Sequence, residues 1–364
     1  MAMIKELNIN HFRGINELTI NSLGSVNLIV GDNNCGKTSV LEALQLLRTS
    51  GGLANVYRIA KQRESIFGMS ANSIYENFIC MFPRDRQELS IDISGICNRR
   101  PISFVLQGKQ KEILLDTKEL DRSVLRQMED TDGELGTEAF EGTIAFSYGE
   151  LEKHEKIEVN RYSRVSGTPM NGKDEFNIVY VSPFEHLRGN VISLIVKNDG
   201  YKEICLKAIQ LFDPEIEDMM VFRSDIGNRP VEYLKHKRLG NMPLSTYGDG
   251  IKKVLVLSNA IAMSAGGVLL IDEIETAIHK KYYDDIFRFI VKACKTFDVQ
   301  VFITTHSLEA IDGLLETQDY GHQKAEDSIQ VVTLKREDNR TYSRVLSGRE
   351  VAANREAFGF EVRL

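Results

Sequence analysis

The sequence has no long apolar run, no cysteine pair at metal-binding spacing and no surplus of positive charge, and each absence removes a class of protein. No stretch approaches the roughly 18 to 20 uninterrupted apolar residues of a membrane helix, and the opening MAMIKELNIN lacks a signal-peptide apolar segment. The expected location is therefore the cytoplasm. Cys35, Cys80, Cys97, Cys205 and Cys294 are scattered without a CxxC pair, so neither a disulfide framework nor a structural zinc is indicated, and buried, reduced thiols are expected. A formal charge of -7 argues against a general nucleic-acid-binding coat, while a local basic strip on an acidic chain stays open. What is present is an ordinary globular composition. The 364 residues, 42% hydrophobic and 27% charged, can bury a sizeable core in two or more lobes.

Hydrophobic periodicity divides the chain. MIKELNI at 3–9 and NELTIN at 16–21 alternate as strands do, and SVNLIV at 25–30 reads as a more buried strand. After the glycine-bearing stretch that follows, Val40, Leu44 and Leu47 share one helical face, and SGG at 50–52 ends that helix. From about 55 to 240 the pattern is mixed, with helix near 55–80, strands such as LSIDISG, GTIAFSYG and FNIVYVSP, and mainly helix at 185–220 around the Asp213-Pro214 turn. The last third alternates again, with GGVLLID and VQVFITTH separated by an amphipathic stretch. The expected organisation is a lobe at 1–184, a helical insertion at 185–240 and a second lobe at 241–364.

GDNNCGKT fits G-x-x-x-x-G-K-[ST] with Gly31, Gly36, Lys37 and Thr38 in the required places. A glycine-permitted loop turns successive backbone N–H groups around phosphate oxygens, and the next helix presents its positive end. Lys37 would reach the β- and γ-phosphates and Thr38 would place its hydroxyl on magnesium; Asn33, Asn34 and Ser39 are counted with this phosphate-binding set. A phosphate cradle needs a carboxylate site to hydrolyse anything. GGVLLIDEIE at 266–275 ends a buried strand in Asp272 and Glu273, the first suited to holding magnesium directly or through water, the second to orienting and deprotonating the attacking water. Read alone, the same acidic pair is an ordinary helix cap.

Three further stretches narrow the reading. VFITTHSLEAID carries His306 at a strand end, PLSTYGDGIKKVLVLSNAI precedes the acid-bearing strand, and IKELNINHFRGI places Arg13 in an NHFRG phrase. With the phosphate loop and Asp272-Glu273, these resemble the ATPase heads of the ABC superfamily, in its RecF/SMC-like branch that includes the overcoming-lysogenisation-defect (OLD) ATPases. The resemblance covers roughly 3–48 and 240–347 by motif and the middle by arrangement, and the closing GFEVRL is similar to the ends of stand-alone ATPases of this branch. It implies an α/β, P-loop NTPase fold, a two-lobed ABC/SMC-like head with a helical insertion.

The resemblance also implies a mechanism. Two heads sandwich two ATP molecules, each between one phosphate loop and the partner's signature loop, here LSTYGDG, in which Tyr247 occupies a glycine slot. Ser245 or Thr246 becomes the γ-phosphate contact and Gly248 the backbone contact. His306 acts as a switch histidine, Arg13 approaches the nucleotide with a salt bridge as the competing reading, and Gln87 is the best candidate for the glutamine-loop magnesium ligand. ETAIHKK sits where the family has its D-loop and keeps His279. The cofactors expected are ATP and magnesium. Only 58 residues follow His306, too few for the Toprim nuclease of OLD enzymes. The resemblance thus points to a homodimeric or higher-order ATPase that scaffolds or controls a separately encoded effector, a nuclease or toxin, in anti-phage defence. A RecF-type clamp that binds DNA is the alternative, with KHKR at 235–238 as its faint support, and a self-contained NTPase is the third reading; no membrane partner is expected.

Overall fold

In the computed structural model the described residues are 2–48, 52–64, 73–83, 89–116, 134–163, 175–188, 191–197, 199–224, 230–320, 328–338, 340–359 and 361–363. The chain opens with β1 (Ile4–Phe12), β2 (Ile15–Ile20) and β3 (Val26–Gly31), then α1 (Lys37–Leu46), α2 (Gly52–Lys61) and α3 (Ile74–Ile79). Next come β4 (Leu89–Cys97), β5 (Arg100–Asp116), β6 (Glu134–Tyr148), β7 (Leu151–Asn160) and β8 (Ile178–Val181). The middle continues with α4 (Ile192–Ile195), α5 (Asp199–Ile209), β9 (Ile216–Arg223), β10 (Pro230–His236) and β11 (Gly240–Pro243). The last part is α6 (Asp249–Met263), β12 (Val268–Ile271), α7 (Tyr283–Thr296), β13 (Gln300–Thr304), α8 (Leu308–Leu315), β14 (Ile329–Glu337), β15 (Arg340–Ser347) and α9 (Gly348–Phe358).

Alternation against continuous burial decides which sheet a strand joins. In β4, LSIDISGIC buries every second residue, as a strand with one covered face must. It sits in a six-stranded antiparallel sheet of order β2-β1-β4-β5-β6-β7. By contrast β3, β12 and β13 are buried at every position, the mark of parallel strands covered on both faces. They form the centre of a second sheet, β15-β14-β3-β13-β12-β8, parallel except for β15 at its edge.

That second sheet separates two apolar cores. Ile29, Leu270, Phe302 and Val332 face the core shared with α1 and the antiparallel sheet. Their neighbours Leu28, Val30, Ile271 and Ile303 face the other, shared with α5, α6, α7 and α8. Each fully buried aliphatic side chain of this kind contributes about 1.5 to 3 kcal/mol, so both faces hold the central strands in register.

Two expectations are corrected. The segment 185–240 is not purely helical: after α4 and α5 it contributes β9 and β10, which pair with β11 in a three-stranded antiparallel sheet. The Asp213-Pro214 turn ends the helical part, and β-branched and aromatic residues follow it. Nor does the lobe boundary follow the sheets, since β3 and β8 pair with strands of the last third. Cys80 is exposed, while Cys35, Cys97, Cys205 and Cys294 are buried free thiols.

An ion triad centred on a buried carboxylate binds the first half together. Glu42, one turn after Thr38 in α1, is fully buried, and its carboxylate takes Arg13 at 3.2 Å and Arg63 at 2.6 Å. Arg13 comes from the β1–β2 connection and Arg63 from just beyond α2, so one carboxylate joins three segments. Removing one member of a buried pair leaves charge without compensation. Glu42→Gln is expected to cost about 3 kcal/mol in urea unfolding; a loss below about 1 kcal/mol would show that the triad is not a structural tie.

Candidate functional site

The phosphate loop is dictated locally. β3 delivers Gly31 with φ 141°, and a Cβ there would lie 2.2 Å from the Leu334 carbonyl oxygen of β14, so only glycine fits. Asn34 at φ 64° and Gly36 at φ 104° complete the left-handed turns. α1 then starts at Lys37, with Gly36 as its N-cap and no side-chain cap, which leaves its first N–H groups free of a competing side-chain acceptor. The Lys37 ammonium donates to the carbonyls of Gly31 and Asp32, both at 2.8 Å, folding back along the loop. Ser39 is buried and accepts from Arg63 at 3.0 Å, while Asn33 and Asn34 are exposed at the loop's rim.

Topology brings the acids to the loop. β13 lies between β3 and β12 and all three are parallel, so their carboxyl ends share one edge. Asp272, only 4% exposed, is surrounded by hydroxyls. Oδ1 accepts from Thr304 at 2.5 Å and from Thr38 at 3.4 Å, and Oδ2 accepts from Tyr180 at 3.1 Å. Burial, and then the Asp272 charge, push the Tyr180 phenol far up, so it remains a neutral donor. Glu273 holds a left-handed backbone, φ 48°, stabilised where its N–H donates to Thr304 Oγ1 at 2.9 Å. Its carboxylate accepts from Thr276 Oγ1 at 3.4 Å.

His306 lies one residue group further along the edge. Its Nδ1 and its backbone N–H both meet Glu275 Oε1 at 3.0 Å, and its side chain is half exposed. A cleft of about 700 Å³ opens on the other side of Asp272, lined by Thr38, Glu42, Gln62, Arg63, Tyr180 and Asp272, and His306 does not line it.

Other expected residues lie elsewhere. The Arg13 guanidinium bonds to Glu42 and to the Ile59 carbonyl, which is the ion-pair reading. Gln87 lies outside the described residues. Ser245 and Thr246 form a single 3₁₀ turn, with Thr246 Oγ1 donating to the Pro243 carbonyl at 2.7 Å, and Gly248 is the N-cap of α6. Among the described residues none of the three hydrogen-bonds to the phosphate loop of its own chain. The sequence reading passed over Tyr180, Thr304, Glu275, Gln62 and Arg63. The polar residues ending the apolar runs FNIVYVSP and VFITTH were the signal for the first two.

Lys235 and Arg238 of the KHKR run pair with acids of the same small sheet and its entry. Lys235 meets Glu217 at 3.0 Å and Arg238 bonds Glu215, while His236 Nδ1 accepts two backbone N–H groups and its Nε2 faces Asp213 and Glu215. With Nδ1 accepting from the backbone, Nε2 is left to donate to the two carboxylates, so His236 clips β10 to the turn before β9.

Comparison with known proteins bears on the whole chain. The profile of the family "AAA domain, putative AbiEii toxin, Type IV TA system" matches residues 117–312, more than half of the chain. The chain belongs to that family. A second AAA-domain profile matches residues 6–67 of this AAA-domain protein. An "ATP/GTP phosphatase" of Helicobacter pylori is 22% identical over 95% of this chain and 96% of its own length. The "Septu protein PtuA" of Bacillus thuringiensis is 24% identical over 84% of this chain and 72% of its own. Among solved structures, the SMC head domain from Thermotoga maritima is similar at TM-score 0.46 and 13% identity, covering 94% of this chain and 98% of that one.

One ionisable group in this AAA-domain protein is out of place. Lys253, in the second turn of α6, is fully buried and donates to the Pro183 carbonyl at 3.2 Å. Burial pulls its ammonium down to about 8, against the opposing pull of Asp272, Glu275, Glu273 and Glu185. Below pH 8 both folded and unfolded chains carry this proton; between about 8 and the ordinary 10.5 only the unfolded chain does, so stability rises with pH across that window. Relative to Lys253→Met, the wild-type chain is expected to gain on the order of 3 kcal/mol in paired urea melts across this window. A flat difference would mean that Lys253 is hydrated in the native state.

Proposed function

We propose that this AAA-domain protein is an ATP-hydrolysing switch that dimerises head to head around ATP and controls a separately encoded effector in anti-phage defence. The observation that carries the ATPase reading is the joining of Thr38, Asp272, Thr304 and Glu273 by hydrogen bonds at one sheet edge, beside the phosphate loop. The family's toxin–antitoxin description and the similarity to PtuA support the defence setting.

In this reading the free N–H groups at the start of α1 and Lys37 hold the β- and γ-phosphates. Thr38 and Asp272 would hold magnesium, since a hydroxyl and a buried carboxylate side by side are the hard oxygen ligands that ion takes. The ion, when bound, supplies charge neutralisation on the phosphate oxygens. Glu273 orients the attacking water and takes its proton. Thr304 holds Glu273 and Asp272 at fixed separation by accepting from one and donating to the other. The bare N-terminus of α6 at Gly248, with Ser245 or Thr246 beside it, meets the γ-phosphate of the partner's nucleotide. His306 reports whether that phosphate is present. Two interfacial triphosphates supply the differential affinity that a near-complete shift in population requires, on the order of 5 kcal/mol.

The DNA-clamp alternative has less to stand on, because two of the basic residues of KHKR, Lys235 and Arg238, are paired with Glu217 and Glu215.

Lys37→Ala is expected to abolish ATP binding in calorimetry, and normal binding would refute the phosphate-loop assignment. Glu273→Gln is expected to bind ATP, to lose turnover by about 100-fold or more, and to accumulate as an ATP-bound dimer in light scattering; undiminished turnover would remove Glu273 as the base.

A further inference from the structure

The segment after α9 returns to the phosphate site. α9 is closed by Gly359 in the left-handed conformation, φ 62°, which turns the chain back. Val362 is then fully buried in the core beneath the parallel sheet, and its carbonyl accepts from Thr333 Oγ1 of β14 at 2.7 Å. With Val362 anchored, Arg363 is aimed across the sheet edge. Its Nε and Nη2 fork onto Glu361 at 2.7 and 3.0 Å, which fixes the guanidinium plane. Its remaining arm, Nη1, donates to the backbone carbonyl of His306 at 3.0 Å. Asp32 of the phosphate loop lies within electrostatic reach of the same guanidinium.

The His306 loop is thus gripped from both sides. On one side Glu275 Oε1 holds its N–H and ring. On the other, Arg363 holds its carbonyl, and the α8 helix that follows is pinned by the Arg355–Asp312 pair between α9 and α8. The His306 carbonyl is at the surface, where water would satisfy it equally well, so the guanidinium bond adds little to stability. What it adds is position.

We propose that residues 361–363 are a strap whose Arg363 sets the place of His306 at the phosphate site, acting as a positioning residue for hydrolysis without touching the nucleotide. The proposal rests on the ATPase reading for its catalytic consequence and on geometry alone for the strap. The two are separated by testing Arg363→Gln, Arg363→Lys, His306→Ala and the double variant His306→Ala with Arg363→Gln in the full chain.

Without nucleotide, hydrogen exchange of a peptide covering 303–311 is expected to quicken in Arg363→Gln and to return towards wild type in Arg363→Lys, with the peptide covering 26–31 unchanged. Unchanged exchange at 303–311 overturns the strap whatever the enzyme does. In steady-state ATP hydrolysis, Arg363→Gln is expected to lower kcat about tenfold with KM changed by less than about twofold, and Arg363→Lys to recover most of the loss. In the His306→Ala background the same substitution is expected to change kcat by less than about twofold, because its effect passes through His306. Losses that multiply across the two sites, or a rise in KM at constant kcat, overturn the positioning role. Absence of turnover in the wild-type chain overturns the ATPase reading and with it the catalytic half of the proposal, while the exchange result still decides the strap.

Discussion

A single hydrogen bond, from Thr304 to Asp272, joins the ends of two neighbouring strands and sets what the edge of the parallel sheet can do. The Thr304 hydroxyl has one proton to give and gives it to the carboxylate, so its lone pair is free for the Glu273 N–H. That acceptance holds Glu273 in a backbone conformation an L-residue seldom adopts. The strain at one position is therefore compensated by the residue that also fixes the other acid. Tyr180 and Thr38 complete the set from β8 and α1, so three elements converge on the one buried carboxylate at the end of β12.

Around this point the molecule is arranged as concentric supports. Arg13 and Arg63 hold Glu42, and Glu42 holds α1 one turn beyond the residue that meets Asp272. Arg63 also donates to Ser39, so the same guanidinium steadies the first turn of the phosphate helix. These contacts lie behind the residues proposed to meet the nucleotide. They determine whether those residues are within a fraction of an ångström of where chemistry needs them.

Much of the site was legible in the sequence because its parts are compact in the chain. GDNNCGKT specifies its own left-handed turns, and Asp272-Glu273 and His306 each end an apolar run, which places them at strand ends. The central strands were legible for the same reason: continuous burial leaves continuous apolar sequence. What was not legible depends on pairing between distant segments. Nothing near Arg13 in the chain announces that Glu42 waits for it, and Tyr180 reads as one more aromatic in a buried strand until β8 is seen beside β12. β9 and β10 hide in a stretch expected to be helical because they are half-exposed, so their alternation is diluted by charge.

The two apolar cores on either side of the parallel sheet carry a mechanical consequence. Adjacent residues of β3, β12 and β13 are anchored in opposite directions, so sliding any one strand would expose apolar surface on both faces at once. The edge that carries Thr38, Asp272 and Thr304 is therefore a fixed anvil. The start of α6 and the small β9–β11 sheet that leads into it are exposed or half-buried at most positions, so fewer buried side chains hold them. Local opening of this fold is directed to that periphery and away from the strand ends.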